Sequence, residues 1–111
     1  MTIGDLIRAL ELSVIGGEAG LDREVTGGFV TDLLSEAMRQ AAPGQLLITV
    51  QRKVNVIAVA FFCDLSGVLV ANGAKVDRET IEKANEKGIP LLVTQKPVFE
   101  LAGKFYEIME R

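Results

Sequence analysis

Histidine and tryptophan are absent from the 111 residues, and cysteine occurs once, at Cys63. Because histidine is the commonest general base and the commonest ligand of transition metals, its absence excludes a Ser-His-Asp triad and a Cys-His pair. A structural zinc site, which is built from cysteine and histidine ligands, is excluded as well. A single cysteine forms no internal disulfide. Cys63 lies in an apolar run, and we expect it to be a small core residue.

Long apolar and long basic runs are also missing. The longest apolar stretch, residues 56–63, is far shorter than the ~20 residues of a membrane-spanning helix. The N-terminus lacks the basic and apolar regions of a signal peptide. The net charge is −3 and the densest basic cluster is Arg52-Lys53, whereas nucleic-acid binding usually needs a basic face. We therefore expect a cytoplasmic protein that binds neither nucleic acid nor membranes.

Apolar residues are plentiful, but few of them are aromatic. They make up 49% of the chain, with only five Phe and one Tyr, so aliphatic side chains must build the core. This composition is typical of a buried β-sheet that is covered by helices. A chain of this size buries roughly 60–70% of its extended surface on folding, enough for one core. We predict a single domain over residues 1–111.

Hydrophobic periodicity and turn residues predict an alternation of strands and helices. Asp32 and Asp77 are predicted helix caps, and Phe99 is expected on the apolar face of the last helix. The regular alternation in the second half predicts right-handed βαβ units, and hence an α/β fold with a mainly parallel or mixed central sheet. The predicted helices are 2–10, 33–41, 55–64, 78–87 and a last one from Pro97, and the predicted strands are 12–15, 25–31, 46–50, 68–71 and 91–94.

Polar or small residues follow the predicted strands. Ligands of parallel α/β sheets bind beyond the carboxyl ends of the strands, so these residues are candidates for one ligand-binding edge. The alternative is structural, because Thr, Asp and Asn are ordinary helix caps and turn residues. Asn55 has both interpretations: it caps the third helix, or it joins residues 51–53 around an anion. The candidate residues are Asp32, Thr49, Gln51, Asn55, Asn72, Gly73 and Thr94.

Residues 22–28 form the most distinctive string, Asp-Arg-Glu-Val-Thr-Gly-Gly. Paired glycines allow positive φ or the close approach of another chain or ligand. Thr26, Gly27 and Gly28 are therefore either a bulge in a strand or a further part of the candidate ligand site. Asp22 and Arg23 are either a solvated pair or a functional one. No GxxxxGK[ST] phosphate loop and no GxGxxG fingerprint is present, so P-loop ATP hydrolysis has no support.

This string resembles the name motif of the DRTGG domain, and the similarity to stand-alone DRTGG proteins extends over nearly the whole chain. It includes Thr-Asp-Leu-Leu-Ser at 31–35, Leu-Ile-Thr-Val-Gln at 47–51 and Gly-Ile-Pro-Leu-Leu-Val-Thr at 88–94. The family is similar to the N-terminal, non-catalytic domain of HPr kinase/phosphorylase. It also occurs beside CBS domains in some inorganic pyrophosphatases. The resemblance implies a three-layer α/β/α domain without a catalytic centre.

The functional hypothesis that follows is a non-catalytic regulatory or interaction domain, expected to be a homodimer. Its ligand would be a small metabolite or an adenine nucleotide, with no cofactor and no metal. One alternative is a scaffold that only docks a protein partner. A less favoured alternative is a small enzyme in which Asp32 is the base.

Overall fold

Five strands form one sheet in the computed structural model, which describes residues 1–110. The strands are β1 (Ser13–Gly16), β2 (Gly27–Val30), β3 (Gln45–Thr49), β4 (Gly67–Val70) and β5 (Leu91–Val93). Their order across the sheet is β1-β5-β4-β3-β2, so β1 and β2 are the edge strands. β2 to β5 are parallel, and β1 is antiparallel to β5. The predicted α/β class with a mainly parallel sheet is confirmed.

Helices cover both faces of this sheet. They are α1 (Ile3–Leu10), α2 (Leu34–Gln40), α3 (Asn55–Phe62), α4 (Arg78–Lys87) and α5 (Val98–Met109), with a 3-10 turn at Glu18–Gly20. One core cluster joins the sheet to α2, α3 and α4, and the other joins it to α1 and α5. The result is the three-layer α/β/α arrangement.

β3 shows why the central strands are apolar without interruption. Leu46 and Ile48 pack in the cluster of α1 and α5, whereas Leu47 packs in the cluster of α2 to α4. All three side chains are fully buried. Because successive side chains of a strand point to opposite faces, a strand covered on both faces needs apolar residues at every position.

The first helix begins as its sequence predicts. The Thr2 hydroxyl accepts from the backbone N–H of Asp5 at 3.1 Å, and the Asp5 carboxylate accepts from the N–H of Thr2 at 2.9 Å. This reciprocal pair is a capping box, which satisfies two backbone donors that the first turn of a helix leaves open. The buried residues Ile3, Leu6 and Leu10 then lie on one face of α1.

Three predictions about helices are wrong. Leu33, not Asp32, occupies the cap position of α2, because the Asp32 carboxylate binds β3 instead. Asn55 is the first residue of α3 and not its cap; Val54 holds that position without a side-chain hydrogen bond. Phe99 is 92% exposed, although it was expected on the apolar face of α5.

Candidate functional site

The ten predicted site residues lie at two opposite ends of the sheet. β2 to β5 are parallel, so the residues that follow these strands share the carboxyl edge. Thr26 precedes β2, and Gly27 and Gly28 begin it, so these three lie at the amino end. The predicted grouping of the Thr-Gly-Gly motif with the carboxyl edge is therefore wrong. The residues at the carboxyl edge are Asp32, Thr49, Gln51, Asn55, Asn72, Gly73 and Thr94.

Asp32, Thr49 and Gln51 form one hydrogen-bond network at this edge. The Oδ1 atom of Asp32 accepts from the Thr49 hydroxyl at 3.0 Å and from the N–H of Val50 at 2.9 Å. Gln51 donates through Nε2 to the carbonyl of Asp32 at 2.7 Å, and its N–H donates to the Thr49 hydroxyl at 3.1 Å. These side chains hold the ends of β2 and β3 together, which is a structural use of all three.

The segment after β3 is held by α4. The backbone carbonyl of Arg52 accepts from the hydroxyl of Thr80 at 2.8 Å, and the Lys53 ammonium lies 3.6 Å from the carboxylate of Asp77. Lys53, which was a candidate anion contact beside Asn55, therefore has an acidic partner already. The predicted anion role of this segment stays a prediction.

A small polar pocket lies where β4 and β5 end. Asn72 and Gly73 both have φ of +66°, and their N–H groups donate to the carbonyls of Lys96 and Thr94. The positive φ of Gly73 favours glycine, and a Cβ atom there would lie 2.5 Å from Oε1 of Gln95, the end of a flexible side chain that can move aside. The pocket beside this turn has a volume of about 380 Å³. Its lining residues are Glu11, Ser13, Gly73, Ala74, Val93, Thr94, Gln95 and Lys96.

The Thr-Gly-Gly motif packs β2 against its neighbours at the amino end. Thr26 donates its N–H to the carbonyl of Gly44 at 2.9 Å. A Cβ atom on Gly44 would lie 2.6 Å from the hydroxyl oxygen of Thr26, which leaves no room for a side chain. A Cβ atom on Gly28 would lie 2.4 Å from the ring of Phe105. Gly27 has only the Gln45 side chain nearby, at 3.9 Å. The motif thus serves close packing at two of its three positions.

Arg23 also makes its contacts at the amino end of the parallel strands. Its Nη1 atom donates to the backbone carbonyl of Leu65 at 2.8 Å, just before β4. Its own carbonyl accepts from the N–H of Ile3 at 3.0 Å, which anchors the start of α1. Arg23 therefore binds backbone carbonyl and N–H groups. Its side chain was expected to pair with Asp22 or with a neighbouring residue, and it binds the carbonyl of Leu65.

An apolar groove runs between edge strand β2 and helix α5. Its volume is about 900 Å³. Three side chains beside it are unusually exposed for their size: Phe99 at 92%, Tyr106 at 67% and Val30 at 49%. Phe99 lies beside this groove and not on the core-facing side of α5, where it was expected. The spacing of the apolar residues distinguishes the two sides of α5. The residues that pack in the core are Val98, Leu101 and Phe105. Phe99 and Tyr106 lie on the side that lines the groove.

A second apolar patch lies on the opposite layer, between α3 and α4. Phe61 is 54% exposed and Phe62 is 74% exposed. The Lys87 ammonium lies 4.7 Å from the centre of the Phe61 ring, within the range of a cation–π contact. The Lys87 side chain therefore covers part of this patch. The groove has charged residues in its lining as well, namely Glu100, Lys104, Glu107 and Glu110.

Neither a metal centre nor a membrane span is found in residues 1–110. No three side chains of the metal-ligating acidic or cysteine type converge there. The helices described are all too short to cross a bilayer, and the longest, α5, has 12 residues.

Comparison with known families agrees with this geometry. The family model of the DRTGG domain matches residues 5–107. The chain belongs to the DRTGG domain family. A relative from Bacillus subtilis (strain 168), the uncharacterised protein YtoI, is 29% identical over 104 residues. That alignment covers 93% of this chain but 23% of YtoI, so this DRTGG domain spans about a quarter of its relative.

A solved structure shares the fold of this DRTGG domain. It contains the CBS and DRTGG domains of the regulatory region of Clostridium perfringens pyrophosphatase, complexed with its activator diadenosine tetraphosphate. The TM-score is 0.73 at 17% sequence identity, over 94% of this chain and 45% of the other. At this identity the likeness concerns the fold alone.

Proposed function

We propose that this DRTGG domain is a non-catalytic regulatory module that acts by binding another protein chain through the β2–α5 groove. The observation that carries the proposal is the exposure of Phe99 and Tyr106 beside an open edge strand. Exposed apolar patches of this kind mark interaction sites on soluble domains. Aromatic side chains are also the residues most enriched at the centres of protein interfaces.

Catalysis is not part of the proposal. The one carboxylate that sequence analysis considered as a base, Asp32, already accepts two hydrogen bonds through Oδ1. The regulatory role is supported by the DRTGG domain of the pyrophosphatase regulatory region, which has the same fold.

The test is site-specific photocrosslinking in the native host. The variant Phe99→p-benzoylphenylalanine should give one stoichiometric crosslinked product, identified by mass spectrometry as this chain or one other protein. The matched control is Glu82→p-benzoylphenylalanine, at an exposed position of α4 on the opposite layer, which should give none. Addition of Tyr106→Glu should abolish the product from position 99. The proposal fails if position 99 gives no product, or the same products as position 82.

A second candidate function is the sensing of an adenine nucleotide at the carboxyl edge. Its support is the open polar pocket beside Gly73 and Lys96, together with the activator in the related regulatory region. A ligand that binds only the folded state raises the melting temperature by mass action. Adenine nucleotides should then raise it in the wild type and not in Lys96→Glu, and no shift at millimolar nucleotide would overturn this candidate.

A further inference from the structure

The polar pocket at the carboxyl edge is built from segments that the fold brings together. Gly73 comes after β4, Lys96 comes after β5, and the pocket extends to Ser13 at the start of β1. β1 is antiparallel to β5, with Ser13 opposite Val93, so its amino end lies at the carboxyl end of the parallel strands. Glu11, at the end of α1, completes the wall. Ligands of parallel α/β sheets bind at this edge.

One buried hydroxyl group in this pocket has an unused donor. Thr94 lines the pocket and is 9% exposed. Its oxygen accepts from the N–H of Lys96 at 3.3 Å. A hydroxyl also donates, and no acceptor for its proton is found among residues 1–110. Since a buried donor without an acceptor is costly, this group favours an acceptor atom supplied from the pocket.

Two residues of opposite charge line the same pocket without an ion pair. In the part of the chain that the structure describes, Lys96 and Glu11 pair neither with each other nor with another charged group. The hydroxyl of Ser13 and the side-chain amide of Gln95 also line the pocket, and neither has a hydrogen bond to another described residue. The pocket thus offers a cation, an anion, and neutral donors and acceptors.

Each of these two charges lies at a helix end of its own sign. Glu11 is the cap residue at the carboxyl end of α1, where the helix dipole carries a partial negative charge. Lys96 directly precedes Pro97, the cap residue of α5, where the dipole carries a partial positive charge. Carboxylates and ammonium groups are stabilised at the opposite ends, so both charges are placed unfavourably. A ligand with one cationic and one anionic group relieves both at once.

We propose that this pocket binds a free α-amino acid as its zwitterion. The ammonium group of the ligand pairs with Glu11. Its carboxylate accepts from the Lys96 ammonium and from the Thr94 hydroxyl, and Ser13 and Gln95 hydrogen-bond a polar side chain. The proposal is independent of the β2–α5 groove. It shares its place with the nucleotide candidate and names a different class of ligand for it.

Size and charge favour an amino acid over a nucleotide. The pocket volume of about 380 Å³ is near the lower end of the range for small-molecule sites, about 300–1,000 Å³. A nucleotide brings phosphate charges, which Glu11 repels and for which Lys96 is the one cation among the described lining residues. An amino acid zwitterion has no net charge, which matches the sum of Lys96 and Glu11.

The first test is a titration of the wild type, followed through its backbone amide signals by NMR. L-Serine and L-glutamine, up to high millimolar concentration, should shift the amides of Ser13, Gly73 and Gln95 along a saturable curve. Binding of either supports the proposal, and no shift with both overturns it.

Two analogues of L-serine are the matched ligand controls. N-Acetyl-L-serine lacks the ammonium charge, and L-serinamide lacks the carboxylate. Each should bind about tenfold more weakly or not at all, because a hydrogen bond between charged groups is lost. An analogue that binds as tightly as L-serine shows that one of the two charges is not recognised, and this overturns the zwitterion as the ligand.

The second test uses variants that remove one charge each. Glu11→Gln and Lys96→Gln should each weaken L-serine binding about tenfold. Glu82→Gln and Lys87→Gln make the same changes at exposed positions of α4 outside the pocket, and should leave the affinity unchanged. The amide spectrum of each variant also shows whether it is folded. Unchanged affinity in either pocket variant overturns the contacts assigned here.

Titration with AMP separates this proposal from the nucleotide candidate. Glu11→Gln removes a repulsive carboxylate, so it should strengthen AMP binding if a nucleotide occupies the pocket, whereas it should weaken L-serine binding if an amino acid does. Shifts of the pocket amides by AMP alone overturn the amino acid and leave the nucleotide candidate standing. If none of the three ligands shifts them, both ligand classes are overturned and the interaction function of the β2–α5 groove is unaffected.

Discussion

The ring of Phe105 in α5 occupies the space in which a side chain on Gly28 would lie, since a Cβ atom there would be 2.4 Å from Cε2 of the ring. Phe105 is 4% exposed and belongs to the core of the α1–α5 face. The second glycine of the family motif is therefore a contact point between β2 and α5. It fixes the height of the helix over the edge strand, and with it the shape of the groove.

Gly28→Ala should lower the free energy of unfolding by about 1–3 kcal/mol, because a packed ring must move to admit the methyl group. Urea denaturation measures the change. Gly27→Ala is the matched control, since its nearest atoms are 3.9 Å away in the flexible Gln45 side chain. That variant should be unchanged or more stable, by up to about 1 kcal/mol. Equal losses in the two variants would show that the Phe105 contact is not the reason.

The sheet could be predicted from sequence because its determinants are local. Uninterrupted apolar runs such as 46–48 indicate strands covered on both faces, and Thr2, Asp5 and Gly88 mark helix ends by their own chemistry. The βαβ rule then places the strand-end residues at one edge without further information. The fold class and the shared carboxyl edge follow from these signals.

The candidate site was harder to predict, because it depends on contacts between distant residues. The carboxylate of Asp32 binds Thr49, 17 residues away, and nothing near Asp32 distinguishes this use from a helix cap. The predicted strand at 25–31 placed the two glycines inside the strand, whereas β2 begins at Gly27. Phe99 lies next to Val98, and a wide apolar arc on α5 does not reveal where the core ends.

Arg23 should contribute to stability through its bond to the Leu65 carbonyl, at 2.8 Å. Arg23→Met keeps most of the aliphatic stem but removes the donor, which leaves the carbonyl of a fully buried residue unpaired. Loss of such a partner costs about 1–3 kcal/mol. Asp22→Asn changes the exposed neighbour and should stay within about 0.5 kcal/mol of wild type. Urea denaturation of both variants measures the contribution of Arg23 and of Asp22 to stability. An equally large effect of Asp22→Asn would contradict the stabilising role assigned to the Arg23–Leu65 hydrogen bond.

Asp5 should make part of the stability dependent on pH. Hydrogen bonds from the backbone and the hydroxyl of Thr2, followed by the charge of Arg8, lower the pKa of Asp5 below its ordinary value of 3.8. A lowered pKa in the folded state means that this contribution is present above about pH 4 and is lost as the pH falls through the folded pKa.

The measurement is the melting temperature of wild type and Asp5→Asn between neutral pH and pH 2. Wild type should be the more stable at neutral pH, and the difference should shrink toward the acid end. Glu18→Gln is a control at another exposed carboxylate, outside the capping box. A constant difference over the whole pH range would show that Asp5 acts through shape and not through its charge.

Substitutions at Asp32 distinguish a structural role of this carboxylate at the carboxyl edge from a catalytic one. Asp32→Ala removes the acceptor of the Thr49 hydroxyl and of the Val50 N–H. The buried Thr49 side chain then loses its acceptor, and we expect a loss of about 1–3 kcal/mol in the free energy of unfolding. Asp32→Asn retains a side-chain oxygen at the position of Oδ1, so it should lose less than half as much.

If Asp32 were a base in catalysis, the two variants would have the same effect on activity. Asn has no proton-accepting carboxylate, so Asp32→Asn would abolish turnover as completely as Asp32→Ala, whatever its stability. The structure instead ties Oδ1 to β3, and this interpretation predicts that the oligomeric state and partner crosslinking of Asp32→Asn match those of wild type. If Asp32→Asn kept full stability but lost the regulatory effect in the native host, Asp32 would belong to a functional site at the carboxyl edge and not only to the fold.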